Sequence, residues 1–176
     1  AGRDRVPSGE PCVLVANHAS FVDPALVMGL LPIDVRFAVK GRLSRYPFLG
    51  MVIRKGEHIR IEKRDLSARI EGAGDILAPL GVGESLFVFP EGTFDVAPRL
   101  LPFRLGAFRA AVDSGCPIVP VAIRGTRHIW PAETWLLRPG RITVTFGEPI
   151  RATGHDWPEI VRLRDEARAF ISRHVG

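Results

Sequence analysis

Short apolar runs alternate with amphipathic stretches along the whole chain, and their order predicts strands separated by helices. The runs typical of strands lie at 12–17, 35–40, 58–63, 85–93, 117–125 and 141–150. Apolar residues at helical spacing mark 23–31, 66–80, 103–115 and 157–175. Strands that alternate with helices in this way predict an α/β fold, with a largely parallel β-sheet flanked by helices.

Two boundaries are suggested by particular residues. Asp23 followed by Pro24 predicts the start of the first helix, with the carboxylate as N-cap and the proline at the first helical position. The stretch 41–56 is interrupted by proline and glycine and is predicted to be irregular or to form a short helix.

The size of the chain indicates one domain over residues 1–176. Its hydrophobic content of 46% is enough for a substantial core. Glycine and proline are scattered, with no linker, low-complexity segment or repeat. No apolar stretch reaches the roughly 18 residues that span a bilayer. We therefore expect a soluble or peripheral protein, and the abrupt start at AGRDRVPSGEP suggests a domain cut from a longer polypeptide.

The charge of the chain indicates an anionic partner. Its net charge of +5 comes from 24 basic and 19 acidic residues, and arginine supplies 21 of the basic ones. Arginine's planar fork suits phosphate. The basic residues are neither clustered in blocks nor interleaved with aromatics, so nucleic acid is not the expected partner. Cys12 and Cys116 are predicted to be buried free thiols, and no His, Cys, Asp and Glu cluster has metal-ligand spacing.

The loop after the first strand carries a histidine and a carboxylate five positions apart, His18 and Asp23. At this spacing the carboxylate can accept a hydrogen bond from one ring nitrogen while the other takes a proton from a hydroxyl. The alternative is that Asp23 only caps the helix and that His18 is an ordinary loop histidine.

A second loop of interest is 89–93, the glycine turn into which the buried strand predicted within 85–93 runs. Gly92 would let backbone amides approach a ligand closely, and Thr93 adds a hydroxyl donor suited to phosphate. The alternative is an ordinary turn with Glu91 at the surface.

In this order, NHASFVDP (17–24), FPEGT (89–93) and CPIVPVAIRG (116–125) resemble the glycerol-3-phosphate and lysophosphatidate (PlsC-like) acyltransferase family. The first segment matches the family's N-H-x-S-x-x-D block at every fixed position. The second matches F-P-E-G-T-R except that Phe94 replaces the arginine, and the third has the family's proline within an apolar strand.

The resemblance implies an O-acyltransferase of phospholipid biosynthesis that moves a fatty acyl group to a hydroxyl of 1-acylglycerol-3-phosphate or a related lysolipid. The donor would be acyl-CoA or acyl-carrier protein, a co-substrate, and no further cofactor is expected. His18 would be the general base and Asp23 its orienting partner. The residues expected to bind substrate are Asn17, Ser20, Glu91, Gly92 and Thr93.

Other cations are expected to bind the acceptor's phosphate, because Phe94 removes one guanidinium fork. Arg99 or Arg104 could replace it. The family's second block is loosely visible in GEHIRIEKRD (56–65), where Arg64 is the first choice for the basic residue, and a solvated strand-end charge is the alternative. Further candidates are Lys63, Arg60 and Lys40.

Two arginine-flanked apolar stretches, 99–104 and 127–138, suit a lipid headgroup interface or closure of one end of the core. We expect peripheral association with the cytoplasmic face of a membrane, with the acyl donor and a lysophospholipid as partners. There are two rival functions. One is a lipid hydrolase with Ser20 as nucleophile, against which stands the absence of a G-x-S-x-G elbow from the sequence. The other is a lipid-binding or scaffolding domain without catalysis.

Overall fold

The computed structural model of the protein describes residues 1–40, 59–61, 79–93, 99–130 and 138–175. The predicted irregular stretch 41–56 and most of the predicted helix 66–80 lie outside the described residues. So do Lys63, Arg64 and Phe94. Lys40 and Arg60 are placed by their backbone alone, at the end of one strand and in the middle of another.

A six-stranded sheet forms the centre of the described residues. Its strands are β1 (Val13–Ala16), β2 (Val35–Lys40), β3 (Ile59–Ile61), β4 (Ser85–Val88), β5 (Ile118–Arg124) and β6 (Thr143–Phe146). Their order across the sheet is β3-β2-β4-β1-β5-β6, and β6 runs antiparallel to β5 while the other neighbours are parallel. This confirms the prediction of a largely parallel sheet.

Four helices have both ends in the described part of the chain, and apolar spacing predicts all of them except the short third one. They are α1 (Asp23–Leu30), α2 (Gly106–Ser114), α3 (Thr126–Ile129) and α4 (Trp157–Val175), preceded by a 3₁₀ turn at Arg3–Arg5. The bounds of α4 agree with the predicted segment, whereas the predicted strand 141–150 is longer than β6. The chain leaves the ladder at Gly147, whose N–H donates to the Pro120 carbonyl at 2.8 Å, and only Ile150 pairs again, with Ile118.

Buried side chains of β1 alternate between the two faces of the sheet, as the pleat of a strand requires. Val13 and Val15 pack with α2 and α4, and Leu14 and Ala16 pack on the opposite face with α1. Fully burying one large apolar side chain contributes roughly 1.5–3 kcal/mol. Both cysteines are buried and free as predicted, and burial raises the pKa of Cys12 to about 11.

The carboxyl ends of β4, β1 and β5 meet at one edge of the sheet because these three neighbours run parallel. The chain leaves β1 at Asn17, leaves β4 at Phe89 and leaves β5 at Gly125. Open α/β sheets bind their ligands at this edge, near a point where successive connections go to opposite sides. β1 is such a point, since it lies between β4 and β5, and it places His18 at the centre of the edge.

Candidate active site

The ring of His18 and the carboxylate of Asp23 form a hydrogen-bonded pair, with 2.9 Å between Nδ1 and Oδ2. The Asp23 side chain is fully buried, and that of His18 is 15% exposed. An acceptor at Nδ1 holds the ring in the tautomer that carries its proton there, which makes Nε2 the nitrogen for proton abstraction. The carboxylate can then stabilise the imidazolium that proton transfer creates.

Asp23 is not the N-cap of α1, so that prediction was wrong. The helix begins at Asp23 itself, after Val22, and no side chain makes a capping bond. Instead Asp23 Oδ2 accepts hydrogen bonds from the N–H groups of Ala19 and Ser20, at 2.6 and 2.8 Å. The carboxylate turns back towards its own loop because these two donors converge there with the His18 ring. Asp23 Oδ1 is buried and has no hydrogen-bond partner among the described residues.

Glu91 joins the two loops of the site. Its Oε1 accepts from the backbone N–H of His18 at 2.8 Å, and its Oε2 accepts from that of Leu101 at 2.6 Å. Burial raises the pKa of Glu91, although these two N–H groups and the positive charge of Arg127 favour the ionised form. The carboxylate therefore holds the main chain at His18, and its predicted contact with substrate stays a prediction.

Phe89 fixes the plane of the His18 ring. It stacks on His18 with ring centroids 4.3 Å apart and an interplanar angle of 22°. On its other side it meets the buried ring of Phe87 edge-on, at 5.2 Å. The sequence identified Phe89 only as part of a matching motif, and its role beside His18 emerges from the sheet, which places the carboxyl ends of β1 and β4 side by side.

Asn17 and Ser20 are committed to backbone groups. The Asn17 side chain donates to the Ile123 carbonyl and accepts from the Ile123 N–H, both at 2.8 Å, and so ties the end of β1 to β5. The fully buried Ser20 hydroxyl donates to the Trp130 carbonyl at 2.9 Å. This bond directs the hydroxyl to the main chain and disfavours Ser20 as a nucleophile. The substrate contacts predicted for both residues stay predictions.

The structure brings Arg104 to the glycine turn. Gly92 has φ +68°, and a Cβ built on it would lie 3.0 Å from Arg104 Nε and 3.2 Å from Arg104 Cζ. The Arg104 N–H also donates to the Pro90 carbonyl at 2.9 Å. The guanidinium thus lies against the turn that carries the exposed Thr93. Arg99 is also exposed, and its predicted contact with phosphate stays a prediction.

The described ranges hold neither a metal-binding cluster nor a candidate membrane span. Within them, no three or more His, Cys, Asp or Glu side chains are grouped to bind a metal ion. In the same part of the chain, no helix has the length and apolar character needed to cross a bilayer. The predictions of no metal and of peripheral membrane association both stay predictions.

A family model described as Acyltransferase matches residues 1–124. The chain is 35% identical over 153 residues to a 1-acyl-sn-glycerol-3-phosphate acyltransferase from Cocos nucifera, covering 86% of this chain and 49% of that protein. It is 31% identical over 180 residues to the beta form of 1-acyl-sn-glycerol-3-phosphate acyltransferase from Homo sapiens, covering 98% and 63%.

The crystal structure of a 1-acyl-sn-glycerophosphate (LPA) acyltransferase, PlsC, from Thermotoga maritima has the same fold. The TM-score is 0.81 at 27% identity, covering 98% of this chain and 68% of that one. The chain spans about half the length of the plant relatives from Cocos and Limnanthes. With a family model that matches well over half of its residues, the chain belongs to the acyltransferase family.

Proposed function

We propose that this chain transfers a fatty acyl group from a thioester to a hydroxyl of 1-acylglycerol-3-phosphate. The observation that carries the proposal is the His18–Asp23 pair at the carboxyl edge of the sheet, with the ring held by Phe89 and its main chain held by Glu91. The acceptor is taken from the relatives, which are named 1-acyl-sn-glycerol-3-phosphate acyltransferases.

The chemistry needs one base and no covalent intermediate on the protein. Nε2 of His18 takes the proton of the acceptor hydroxyl as its oxygen bonds to the thioester carbonyl carbon. Asp23 stabilises the resulting imidazolium. The tetrahedral intermediate then collapses, the carbon–sulfur bond breaks, and the imidazolium returns its proton to the leaving thiolate. In this proposal, backbone N–H groups near the glycine turn stabilise the oxyanion.

Arg104 is the cation we assign to the acceptor's phosphate. Its guanidinium lies against Gly92, where the absence of a side chain lets the fork come close to the backbone of the turn, so that one phosphate could meet both. Thr93 adds a hydroxyl at the same turn. Arg104 therefore replaces the arginine that the family's motif has at the position of Phe94. Arg64 and Arg99 remain predicted contributors.

We further propose that the protein acts on the cytoplasmic face of a membrane, where its acceptor resides. Phe21, in the loop that carries His18, is 45% exposed, and its ring centroid lies 6.3 Å from that of Trp130. Exposed aromatic side chains beside a site suit a lipid–water boundary. The acyl chain of a lysolipid would enter past Phe21 and Trp130.

The test measures thiol release from an acyl-CoA with and without lysophosphatidate, for the wild type and for His18→Ala. We expect release only with the acceptor, and a loss of at least about 10²–10⁴-fold on removing the base. Exposed His155 supplies the matched control, because His155→Ala should leave the rate unchanged. Activity retained in His18→Ala would overturn the mechanism.

Two other outcomes would assign the rival functions. Release that does not depend on the acceptor, and that Ser20→Ala abolishes as fully as His18→Ala does, would indicate a serine-dependent hydrolase. No release with any acceptor, together with retained lipid binding, would indicate a binding or scaffolding domain. Under our proposal Ser20→Ala is the milder change, because its hydroxyl only braces the Trp130 carbonyl.

A further inference from the structure

A second group of exposed basic residues lies at the same edge of the sheet, on the far side of His18 from Arg104. Arg124 is the last residue of β5 and pairs with Thr143 at the start of β6. Arg141 lies just before β6, and its carbonyl oxygen packs so closely on Gly125 that a Cβ there would collide with it. The ends of the two antiparallel strands thus bring Arg124 and Arg141 to one place.

The segment before β6 runs along α3. The segment adds Arg138 to the group, and α3 adds His128. The Arg138 N–H donates to the Ile129 carbonyl at 2.9 Å. A Cβ on Gly140 would lie 3.2 Å from Cδ2 of His128, so the two segments are in contact. We call the exposed set Arg124, His128, Arg138 and Arg141 the basic edge.

The basic edge has the charge of an anion-binding surface. Residues 114–130 and 138–147 contain no aspartate or glutamate. Within the described part of the chain, none of the three arginines forms an ion pair with a carboxylate. Guanidinium groups concentrated on one exposed edge favour phosphates, which their planar forks bind in bidentate geometry.

Helix α3 lies between the basic edge and the loop that carries His18, and it is hydrogen-bonded to that loop. The Ser20 hydroxyl donates to the Trp130 carbonyl at the end of α3, so α3 separates the basic edge from the loop that carries His18. Neighbouring strands lie about 4.8 Å apart, which places β6 roughly 10 Å from β1. A ligand held by phosphates at β5 and β6 therefore needs a long neutral arm to present a reacting atom to His18.

We propose that the basic edge binds the nucleotide phosphates of coenzyme A, so that the donor of the reaction is an acyl-CoA. This inference rests on the proposed function, because it assigns the acceptor's phosphate to Arg104 on the β4 side and the donor to the β5–β6 side. Coenzyme A has clustered phosphates at one end and a pantetheine arm that ends in the thioester. A cluster confined to two strand ends fits such a ligand better than the broad face of a carrier protein.

The test compares a double variant, Arg124→Gln with Arg141→Gln, with a control carrying Arg109→Gln and Arg173→Gln, two exposed arginines of α2 and α4. Two donors with the same acyl group are used: acyl-CoA, and acyl-pantetheine, which lacks the nucleotide phosphates. We expect the KM for acyl-CoA to rise roughly 10-fold or more in the double variant. The KM for acyl-pantetheine, the KM for lysophosphatidate and the control should not change.

Binding of adenosine 3′,5′-bisphosphate provides a readout that does not depend on turnover. It should bind the wild type and the control, and bind the double variant at least about 10-fold more weakly. An unchanged KM for acyl-CoA, or a defect seen only with acyl-carrier protein, would overturn the proposal. So would a defect confined to the binding of anionic vesicles. If the wild type transfers no acyl group but binds the bisphosphate through these arginines, the proposed function fails and the phosphate site stands.

Discussion

Replacing Asp23 with asparagine separates the catalytic role of the carboxylate from its role in the loop. The N–H groups of Ala19 and Ser20 both point at Oδ2, so they require an acceptor there. The asparagine oxygen can occupy this position and still accept from Nδ1 of His18. The geometry of the loop is then kept, and the negative charge beside the ring is lost.

The expected rate loss follows from the charge separation. Nδ1 and Oδ2 are 2.9 Å apart, and the centres of the two delocalised charges are about 4 Å apart. At an effective dielectric constant of about 20, this pair contributes roughly 4 kcal/mol. If most of that stabilises the imidazolium in the transition state, kcat falls about 10³-fold.

The expected stability loss is smaller. Two charge-assisted bonds from the backbone become neutral ones, which costs about 2 kcal/mol in all. The amide nitrogen of asparagine then takes the buried position of Oδ1, which has no partner among the described residues; the loss of the buried charge there offsets the cost of burying its N–H groups. For a protein of this size, a loss of 2 kcal/mol lowers Tm by about 4–8 °C.

The assay measures kcat with acyl-CoA and lysophosphatidate beside thermal unfolding. Asp113→Asn is the control, since Asp113 pairs on the surface with Arg109 within α2. If turnover of the Asp23→Asn variant stays within about 10-fold of the wild type while Tm falls, the carboxylate only braces the loop and the proposed mechanism is wrong.

Arg104→Ala should raise the KM for lysophosphatidate by about 10- to 100-fold, the equivalent of 1.5–3 kcal/mol. The KM for a neutral monoacylglycerol should not change, and Arg109→Ala is the control. Equal effects on both acceptors would contradict the assignment of Arg104 to the phosphate. Gly125→Ala should lower the unfolding free energy by about 3 kcal/mol or more, because its φ is +96° and the new Cβ collides with a carbonyl. Gly83→Ala has φ +83° but open space, so it should cost only about 1–2 kcal/mol; equal losses in chemical denaturation would contradict the collision. Hydrogen bonding from Arg162 lowers the pKa of Glu159 to about 2. The ionised Glu159 side chain therefore contributes its full stabilisation above pH 4.5, and this stabilisation is lost as pH falls towards 2. Glu159→Gln should flatten the unfolding free energy over that interval, and an unchanged acid limb would refute this.

The sequence was sufficient to predict the layers of the fold and the hydrogen-bonded pair of His18 and Asp23. Period-two and period-3.6 patterns act within one element, so the strands and the long helix 157–175 could be read locally. His18 and Asp23 lie in one short loop, and their contact also depends on local geometry. Loops that follow neighbouring parallel strands lie at the same edge of the sheet, which brings the two motif loops together.

The functions of the polar residues around that pair could not be predicted in the same way. The substrate contacts expected of Asn17 and Ser20 stay predictions. The hydrogen bonds that the structure shows for them go to Ile123 and Trp130, more than a hundred positions along the chain, and the sequence did not indicate these partners. A polar side chain in a motif does not reveal which backbone group will face it. The capping role expected of Asp23 was wrong, because the donors of its own loop compete with those of the helix.

α3 was missed because it is a four-residue turn with no apolar period of its own. Gly125 before it was the available signal, since a glycine that ends a buried strand often marks a turn that needs positive φ. Its consequence is considerable: the turn sends Trp130 back to Ser20 and lays the segment 138–141 along its outer side.

At this edge of the sheet the acidic side chains of the site are buried and the basic ones are exposed. The carboxylates of Asp23 and Glu91 are buried against backbone donors, and they hold the ring and the main chain of His18. Arg104 and the basic edge are exposed on either side, where they can meet anionic substrates but are screened by salt. At physiological ionic strength the Debye length is about 8 Å, so exposed charges lose attraction as salt rises while buried pairs are screened much less. Ionic strength should therefore act mainly on substrate capture, and the proton transfer at His18 should be largely insensitive to it.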